Sequence, residues 1–408
     1  MSAAATTFPI SAVPADERDA YVRAVSLGFG STPDDATIAH YAARPSRERL
    51  AARAGDRIVG TTATLDMTLR LPHAAIVPCA GVTAVTVQPT HRRRGILSAL
   101  MRQQIDGLHA GGDAWAALYA SEAAIYGRYG FGVASRSRSY RIDGPWKRLA
   151  EPVAPADDIE WLDEAQARER VPALHRAVQR AVPGMLHEGD ETWRWELGWD
   201  PPGSRAGASA RQIVAIGDRA WAAYRTKQAW RGTVPDGTLR VEDCMASDAQ
   251  ALRQLWAFLL GIDLVEHVTA GLLPLDDPLP WWLAERHRLR VTEDEPCYVR
   301  LVDVGAALSQ RGTAAAGAVV LDVRDAFCPW NQRCWLLEGD GAALRCAPTD
   351  APADVTLDVR ELASLSLGGA SASELARAAL VDEHHPGALR RLDALLAAER
   401  PPWNSFIF

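Results

Sequence analysis

The chain has 408 residues, of which 48% are hydrophobic and 23% are charged, so it can bury substantial cores and lacks the composition of a disordered protein. Its 44 Lys and Arg residues against 51 Asp and Glu give a net charge of −7, which disfavours a general nucleic-acid binder. At about 100–200 residues per domain, this length predicts two to four domains.

Targeting signals and cysteine spacing indicate the cellular compartment in which a protein works. No apolar run approaches the ~18 residues that a membrane span requires, and the start MSAAATTFPI lacks the basic and apolar segments of a secretory signal. We therefore expect a cytoplasmic protein without a membrane span. The six cysteines are scattered, with no C-x-x-C pair and no partnering histidine spacing. This pattern predicts reduced, mostly buried thiols, and neither a zinc site nor a disulfide framework.

The first 145 residues have the order of elements that is typical of an α/β fold. Apolar residues at helical spacing predict a helix over residues 16–29, and a second helix follows with Thr32 as its cap and Pro33 at its first position. Strands are predicted over residues 58–65, 81–87 and 115–119. Between the last two strands, helical periodicity runs over residues 91–112 and ends at two glycines.

Composition shifts divide the rest of the chain. Proline and acidic residues break the periodicity at residues 144–158 and again at 293–297, which predicts domains over residues 1–150, 151–292 and 293–408. The middle part alternates helical and strand-like segments in an α/β order. The last part has four strand-like segments followed by two helical ones. The predicted fold class is therefore α/β to α+β throughout.

The most informative stretch is VTVQPTHRRRGILSALM, residues 85–101, in which a strand leads into an arginine-rich turn with Gly95 at the beginning of a helix. The first turn of a helix has N–H groups without partners and a positive dipole end, so this turn can wrap a pyrophosphate. The residues that would contribute are Arg92, Arg93, Arg94, Gly95, Ile96, Leu97 and Ser98. Taken alone, a short R-x-x-G match is equally compatible with an ordinary turn that carries solvated arginines.

A second motif, SEAAIYGRYGF over residues 121–131, follows the next apolar strand. The two motifs in this order resemble the GNAT acyltransferase superfamily. Its R-x-x-G-x-[GA] signature corresponds to residues 92–97, and its F-Y-x-x-x-G-F signature corresponds to residues 125–131. Leu97 replaces a small residue of the signature and Ile125 replaces its first aromatic residue. The change at Leu97 leaves the backbone donors of the turn in place.

A closer resemblance comes from VQPTHRRRGIL, ASEAAIYGRYGFG, the chain length and the aromatic C-terminus, which together are similar to the Eis (enhanced intracellular survival) family of N-acetyltransferases. The resemblance implies two tandem GNAT-like domains and a C-terminal domain with a sterol carrier protein-like fold. It also implies a homohexamer made of paired trimers, acetyl-CoA as cosubstrate and no metal. The implied acceptors are amino groups of aminoglycosides or lysine-like amines, acetylated directly and with broad regiospecificity.

Site roles follow by position from the resemblance. The strand that would hold the pantetheine arm through its backbone comprises Val85, Thr86 and Val87, and the pair that would border the cofactor is Ser121 and Glu122. Tyr126 aligns with the family's general acid, which donates a proton to the leaving CoA thiolate. The alternative for Tyr126 is that of a core aromatic residue beside Gly130.

The family's base is its own terminal α-carboxylate, which here belongs to Phe408. An α-carboxyl group has a pKa near ~3.5 in water, and burial among aromatic side chains raises that pKa toward a useful base strength. Ile407 precedes it, so this end of the acceptor cleft is expected to be less anionic than an acidic residue would make it. A tail that packs only for stability is the alternative.

Two further functions remain open at this point. In an apolar-ligand carrier, Phe406, Ile407 and Phe408 would line a lipid tunnel. In a CoA-binding scaffold, the GNAT site would bind the cofactor without turnover.

Overall fold

The computed structural model describes residues 8–408, which divide into two compact units. The first unit contains the described residues up to 134, residues 297–397 and Phe408. The second contains residues 135–296 and 398–407. Both units combine helices with β-sheet, which confirms the predicted fold class.

The N-terminal part of the first unit alternates strands and helices around one sheet. Its elements are β1 Ile10–Ala12, α1 Arg18–Gly28, α2 Asp35–Ala42, β2 Glu48–Ala54, β3 Arg57–Arg70, β4 Ile76–Val87, α3 Ile96–Ala110, β5 Trp115–Tyr119 and α4 Ala123–Tyr126. Strands β1 to β4 are antiparallel neighbours in sequence order, and β5 lies parallel to β4. Helices α1 and α2 pack beside Ile58, whereas α3 packs beside Val59, because successive strand residues point to opposite faces.

Of two predicted helix starts, that of α2 was wrong and that of α3 is confirmed. The N-cap of α2 is Asp34, whose carboxylate accepts a hydrogen bond from the Thr37 backbone N–H at 2.7 Å, so Thr32 and Pro33 lie before the helix. Gly95 is the N-cap of α3, which begins at Ile96, as the motif predicts. The helical periodicity from residue 91 starts too early, because a short 3₁₀ turn and two residues with positive φ come first. The arginines of the motif therefore lie in a turn and not in a helix.

The second unit is built on a separate run of elements. They are β6 Gly132–Asp143, β7 Ile159–Leu162, α5 Glu164–Gln179, β8 Leu186–His187, α6 Asp190–Leu197, β9 Gln212–Ile216, β10 Ala220–Lys227, β11 Trp230–Arg231, β12 Val234–Pro235, β13 Gly237–Ala246, α7 Ala249–Leu260, β14 Val265–Leu273 and α8 Leu279–Trp282. The sheet order is β6-β14-β13-β10-β9-β7. Strands β13 and β14 are parallel and the other neighbours are antiparallel.

The tail of residues 398–407 is packed into the second unit. Asn404 accepts a hydrogen bond from the Leu186 backbone N–H at 3.0 Å. The ring of Phe406 lies 5.5 Å from that of Trp193 in an edge-on arrangement, and Trp403 is buried. These contacts hold the chain close to its C-terminus, which leaves little freedom for its last residues.

The C-terminal part of the chain returns to the first unit. Its elements are β15 Arg290–Leu301, α9 Val304–Ser309, β16 Ala316–Arg324, β17 Arg333–Asp340, β18 Leu344–Pro348, β19 Val355–Asp358, α10 Val359–Ser366, α11 Ala372–Arg377, β20 Val381–Glu383 and α12 Ala388–Leu396. Residues 297–301 of β15 pair antiparallel with all of β5. The last five strands form a second sheet in the order β18-β17-β16-β19-β20.

The state of the cysteines and the lengths of the helices were both addressed by the sequence. Within residues 8–408, all six cysteines are free thiols and five are buried, as predicted. No helix in that range is both long enough and apolar enough to cross a bilayer.

Arg311 joins the separate pieces of the C-terminal part. Its side chain is fully buried, and its guanidinium donates to five backbone carbonyl groups. These carbonyls belong to Gly312, Ser366, Leu395, Leu396 and Ala397. They include those at the C-terminal ends of α10 and α12, where a cation is favoured by the helix dipole. The guanidinium thus satisfies carbonyls that would otherwise be buried without donors.

We predict that Arg311→Met lowers the free energy of unfolding by about 3 kcal/mol or more, because several buried carbonyls lose their donors at once. Thermal and urea denaturation measure this change. The control is Arg345→Met on the exposed face of β18, which we expect to change stability by less than about 0.5 kcal/mol. Equal stability of the two variants would contradict the assignment of Arg311 as the central tie.

Candidate functional site

The site is organised by the point at which β4 and β5 part. Their parallel register includes Ala80↔Ala116, Gly81↔Ala117 and Val82↔Leu118, and it ends there. Strand β4 continues to Val87, so its last five residues extend past the paired region. Main-chain N–H and C=O groups on that side of β4 therefore face an opening and not a neighbouring strand.

A β-bulge lies at the same place on the other side of β4. Thr61 faces Thr86 and Ala63 faces Thr83, so two residues of β4 stand opposite one residue of β3. Ala84 has φ of +53°, a conformation that costs a non-glycine residue about 1 kcal/mol or more. A bulge bends its strand and increases the local twist, which turns the end of β4 away from β5.

Hydroxyl groups stabilise the bulge. The hydroxyl of Thr61 donates to the Ala84 carbonyl at 2.8 Å and lies 2.8 Å from the hydroxyl of Thr86. Thr86 is buried beneath α1, where a Cβ added at Gly28 would lie 2.5 Å from the Thr86 Cβ. Val85 and Val87 are half-buried, so the predicted cofactor strand is held by its side chains while its backbone edge stays open.

The arginine-rich turn follows the end of β4. Arg93 and Gly95 have φ of +62° and +80°, and Gly95 directly precedes α3 without a side-chain cap. A Cβ added at Gly95 would meet no atom within 4 Å, so the space in front of the helix is open. The first N–H groups of α3 therefore face open space, which is the geometry that binds anions.

The side chains of this turn have different surroundings. Arg92 donates to the carbonyls of Val87 at 3.3 Å and Gly28 at 3.4 Å, which ties the turn to the ends of β4 and α1. Arg93 and Arg94 are exposed. The side chain of Ile96 is buried between α3 and the sheet, and Leu97 is half-buried against the aromatic core. These contacts fix the backbone of the turn, and the exposed side chains of Arg93 and Arg94 can meet a ligand.

Ser98 connects the turn to the second motif. Its hydroxyl lies 3.0 Å from the hydroxyl of Tyr129, whose ring is buried. The sequence did not single out Tyr129 as a site residue. Its place three residues after Tyr126 in YGRYGF was the available signal, since it is the other aromatic residue of that motif.

The second motif forms a tight loop at the end of β5. Ser121 and Glu122 are exposed and immediately precede α4, which carries Tyr126 on its last position. Tyr126 is buried, with its ring 6.1 Å from that of Phe131. Burial, with smaller contributions from Tyr129 and Glu122, raises the pKa of the Tyr126 phenol to about 12. The hydroxyl is therefore protonated at neutral pH and can act as a proton donor.

The last residue of the chain meets the end of β5. The ring of Phe408 lies 5.4 Å from that of Tyr119 and is perpendicular to it. Tyr119 is the final residue of β5 and pairs with Cys297 of β15. Tyr119 was not predicted as a site residue, because an aromatic residue at the end of a strand has no distinctive sequence signal. Its contact places the C-terminal residue beside the strand that leads into the Tyr126 loop.

No metal site accompanies these residues. In the part of the chain that the structure describes, no group of three or more His, Cys, Asp or Glu side chains could hold a metal ion.

Comparison with protein-family models gives three matches along the chain. A model described as acetyltransferase (GNAT) domain matches residues 9–134, and a second model with the same description matches residues 184–301. A model described as sterol carrier protein domain matches residues 304–405.

Individual relatives agree with these matches. An N-acetyltransferase of Streptomyces avermitilis is 37% identical over 356 residues, covering 86% of each chain. The N-acetyltransferase Eis of Mycobacterium tuberculosis is 32% identical over 364 residues, covering 87% of each chain. The crystal structure of Eis1 from Mycobacterium abscessus superposes with a TM-score of 0.85 at 30% identity, covering 98% of this chain and all of that one.

The chain therefore belongs to the Eis family of GNAT N-acetyltransferases, with two GNAT domains, which imply the use of acetyl-CoA, and a C-terminal sterol carrier protein domain.

Proposed function

We propose that this enzyme transfers the acetyl group of acetyl-CoA directly to a primary amine, with Tyr126 as the general acid and the α-carboxylate of Phe408 as the general base. The observation that carries the proposal is the contact between Phe408 and Tyr119. It brings the chain terminus to the end of β5, and the loop that follows β5 contains Tyr126. The proposed base and the proposed acid are thus both connected to the end of β5.

The cosubstrate is held chiefly by main-chain groups. The open backbone edge of Val85, Thr86 and Val87 binds the pantetheine arm, because amide groups of the arm can continue the ladder that β5 leaves. The N–H groups of Gly95 to Ser98 bind the pyrophosphate, and the exposed Arg93 and Arg94 add charge. Ser121 and Glu122 border the arm at the end of β5, and Arg92 holds the turn in shape.

The reaction needs two proton transfers. The amine nitrogen attacks the thioester carbonyl carbon, a C–N bond forms and the C–S bond breaks. The Phe408 carboxylate accepts the proton that the amine loses, and Tyr126 donates its proton to the sulfur that leaves as CoA. No acyl-enzyme forms, and Cys79, which is buried on β4, has a pKa raised by burial and makes a poor nucleophile.

The acceptor is an amine of the aminoglycoside or lysine type, modified at more than one position. Membership of the Eis family supports this class, and the exposed side chain of Ile407 next to the base makes that end less attractive to polycations than an acid would. We further propose a cytoplasmic homohexamer with domains over residues 1–150, 151–292 and 293–408. Size-exclusion chromatography with light scattering tests the hexamer.

We predict that Tyr126→Phe lowers kcat by about 10²-fold or more and leaves the Kd for acetyl-CoA nearly unchanged, since only proton donation is lost. Thiol release from acetyl-CoA with an aminoglycoside acceptor measures kcat, and calorimetry measures Kd. Tyr21→Phe is the matched control, because it also removes a hydroxyl from a buried tyrosine of the same unit. Because the Tyr126 pKa is about 12, the wild type should show no loss of this acid up to about pH 10. Full turnover by Tyr126→Phe would refute its role.

For the base, we predict that adding Gly-Ser after Phe408 lowers kcat by about 10²-fold with little change in acetyl-CoA binding, because it displaces the carboxylate and leaves the pyrophosphate turn intact. The same two residues added at the N-terminus provide the control. Equal activity of the two extended proteins would exclude the terminal carboxylate.

For the turn, Gly95→Ala should weaken acetyl-CoA binding by about tenfold, because alanine disfavours the positive φ that aims the helix N–H groups. Gly112→Ala is the matched control: Gly112 follows the other end of α3, has the same φ of +80° and is equally open around its Cα. Both variants should lose similar stability. Equal acetyl-CoA affinity of the two variants would contradict the pyrophosphate assignment.

A further inference from the structure

The glycines of the loop GRYGFG are packed against the C-terminal part of the first unit. A Cβ added at Gly130 would lie 1.3 Å from Nη1 of Arg300, and one added at Gly132 would lie 1.9 Å from the Arg360 carbonyl oxygen. At Gly127 the nearest atom would be Cδ of Arg360, at 3.7 Å. Two of the three glycines thus leave no room for a side chain, because backbone or a guanidinium already fills the space.

Packing alone does not explain why the charged side chain of Arg300 fills the space beside Gly130. Its side chain is fully buried on β15, opposite Ala116 of β5, and forms an ion pair with the equally buried Asp325. Within residues 8–408, its Nε and Nη1 have no hydrogen-bond partner. A buried ion pair is expensive to desolvate and is often replaceable by apolar residues without loss of stability. The position of the Arg300 guanidinium against Gly130 indicates a role other than stability.

Asp325 is rigidly held, so the guanidinium has a fixed orientation. One carboxylate oxygen accepts from the Cys328 backbone N–H at 2.8 Å, and the other accepts from the Asn331 side chain at 3.0 Å. Asn331 in turn accepts from the Val304 backbone N–H at 3.0 Å. The pair is therefore anchored at the start of α9 and in the segment that follows β16.

The loop transmits the position of Gly130 to the acid. The Gly130 N–H donates to the Gly127 carbonyl at 2.9 Å, and the Phe131 N–H donates to the Tyr126 carbonyl at 3.3 Å. With φ of +78°, Gly130 is the corner of this turn. A shift of the corner therefore reaches Tyr126 through the hydrogen bond from Phe131 and through its neighbour Gly127.

We propose that Arg300 and Asp325 are a positioning pair for catalysis: the guanidinium sets the height of the Gly130 corner and thereby places the Tyr126 hydroxyl at the thioester sulfur. This inference rests on the proposed role of Tyr126 as acid. It assigns the sterol carrier protein domain, which supplies Asp325, a part in acetyl transfer.

The test is Arg300→Met, made in the wild type and in the Tyr126→Phe background. Methionine keeps most of the side-chain length and removes the planar group over Gly130. We expect kcat to fall by about tenfold or more in the wild type, since misplacement by about 1 Å can cost that much. The Kd for acetyl-CoA should change less than about twofold, because the turn that binds pyrophosphate is untouched. In the Tyr126→Phe background, Arg300→Met should cause no further loss of kcat.

Arg311→Met is the matched control, since it also removes a fully buried guanidinium from the same part of the chain. It should lower Tm and leave the kcat of the folded protein unchanged. Asp325→Asn is a second variant of the same size, and it should show the same dependence on Tyr126 as Arg300→Met.

An equal loss of kcat in both backgrounds would overturn the inference, because Arg300 would then act without Tyr126. A loss of acetyl-CoA affinity with kcat retained would also overturn it. Failure of the proposed function is distinguishable, since it would appear as full turnover by Tyr126→Phe alone.

Discussion

The parting of β4 from β5 after Val82 determines where the rest of the site lies. Paired strands satisfy each other's backbone groups, so an interrupted pair leaves a row of donors and acceptors that a ligand can use. The bulge at Ala84 bends β4 away, and the hydroxyls of Thr61 and Thr86 stabilise that bend. The arginine-rich turn comes directly after β4 in the chain, and the loop that contains Tyr126 comes directly after β5. The bulge at Ala84 thus opens a slot between the ends of β4 and β5 and sets the positions of both motifs.

The C-terminal part of the chain completes the site from a distance in sequence. Residues 297–301 pair with β5, and Arg360 of α10 packs against the loop of residues 127–132. The ring of Phe408 contacts that of Tyr119. Under the proposed role of Tyr126, the contacts of the sterol carrier protein domain with the loop of residues 127–132 give that domain a part in acetyl transfer. Its sequence match alone does not indicate such a role.

Sequence reasoning predicted the features that depend on local pattern. Periodicity predicted the strand at residues 115–119 with its observed bounds and most of α1 and α3, and the two motifs indicated the family. It misplaced the start of α2, because capping by Asp34 depends on a backbone conformation that hydrophobic spacing does not reflect. For α3, periodicity alone ran back to residue 91, whereas the glycine of the motif marked the observed start.

Other features could not be predicted because they depend on tertiary contacts. The bulge at Ala84 has no glycine to mark it. Arg300 and Asp325 stand about 170 or more residues beyond the loop they support, and nothing in either segment indicates that its charge is buried. The contact of Tyr119 with Phe408 joins positions that no local pattern relates. The candidate residues of the two motifs therefore came from sequence, and the contacts that align them came from the structure.

In the proposed mechanism, acetyl-CoA lies in the slot between β4 and β5 with its thioester beside Tyr126. A crystal structure of the enzyme with acetyl-CoA bound tests it most directly. We predict that the thioester sulfur lies within about 3.5 Å of the Tyr126 hydroxyl and that the pantetheine amides bond to the main chain of residues 85–87. A cofactor bound elsewhere, or a sulfur beyond the reach of Tyr126, would contradict this account.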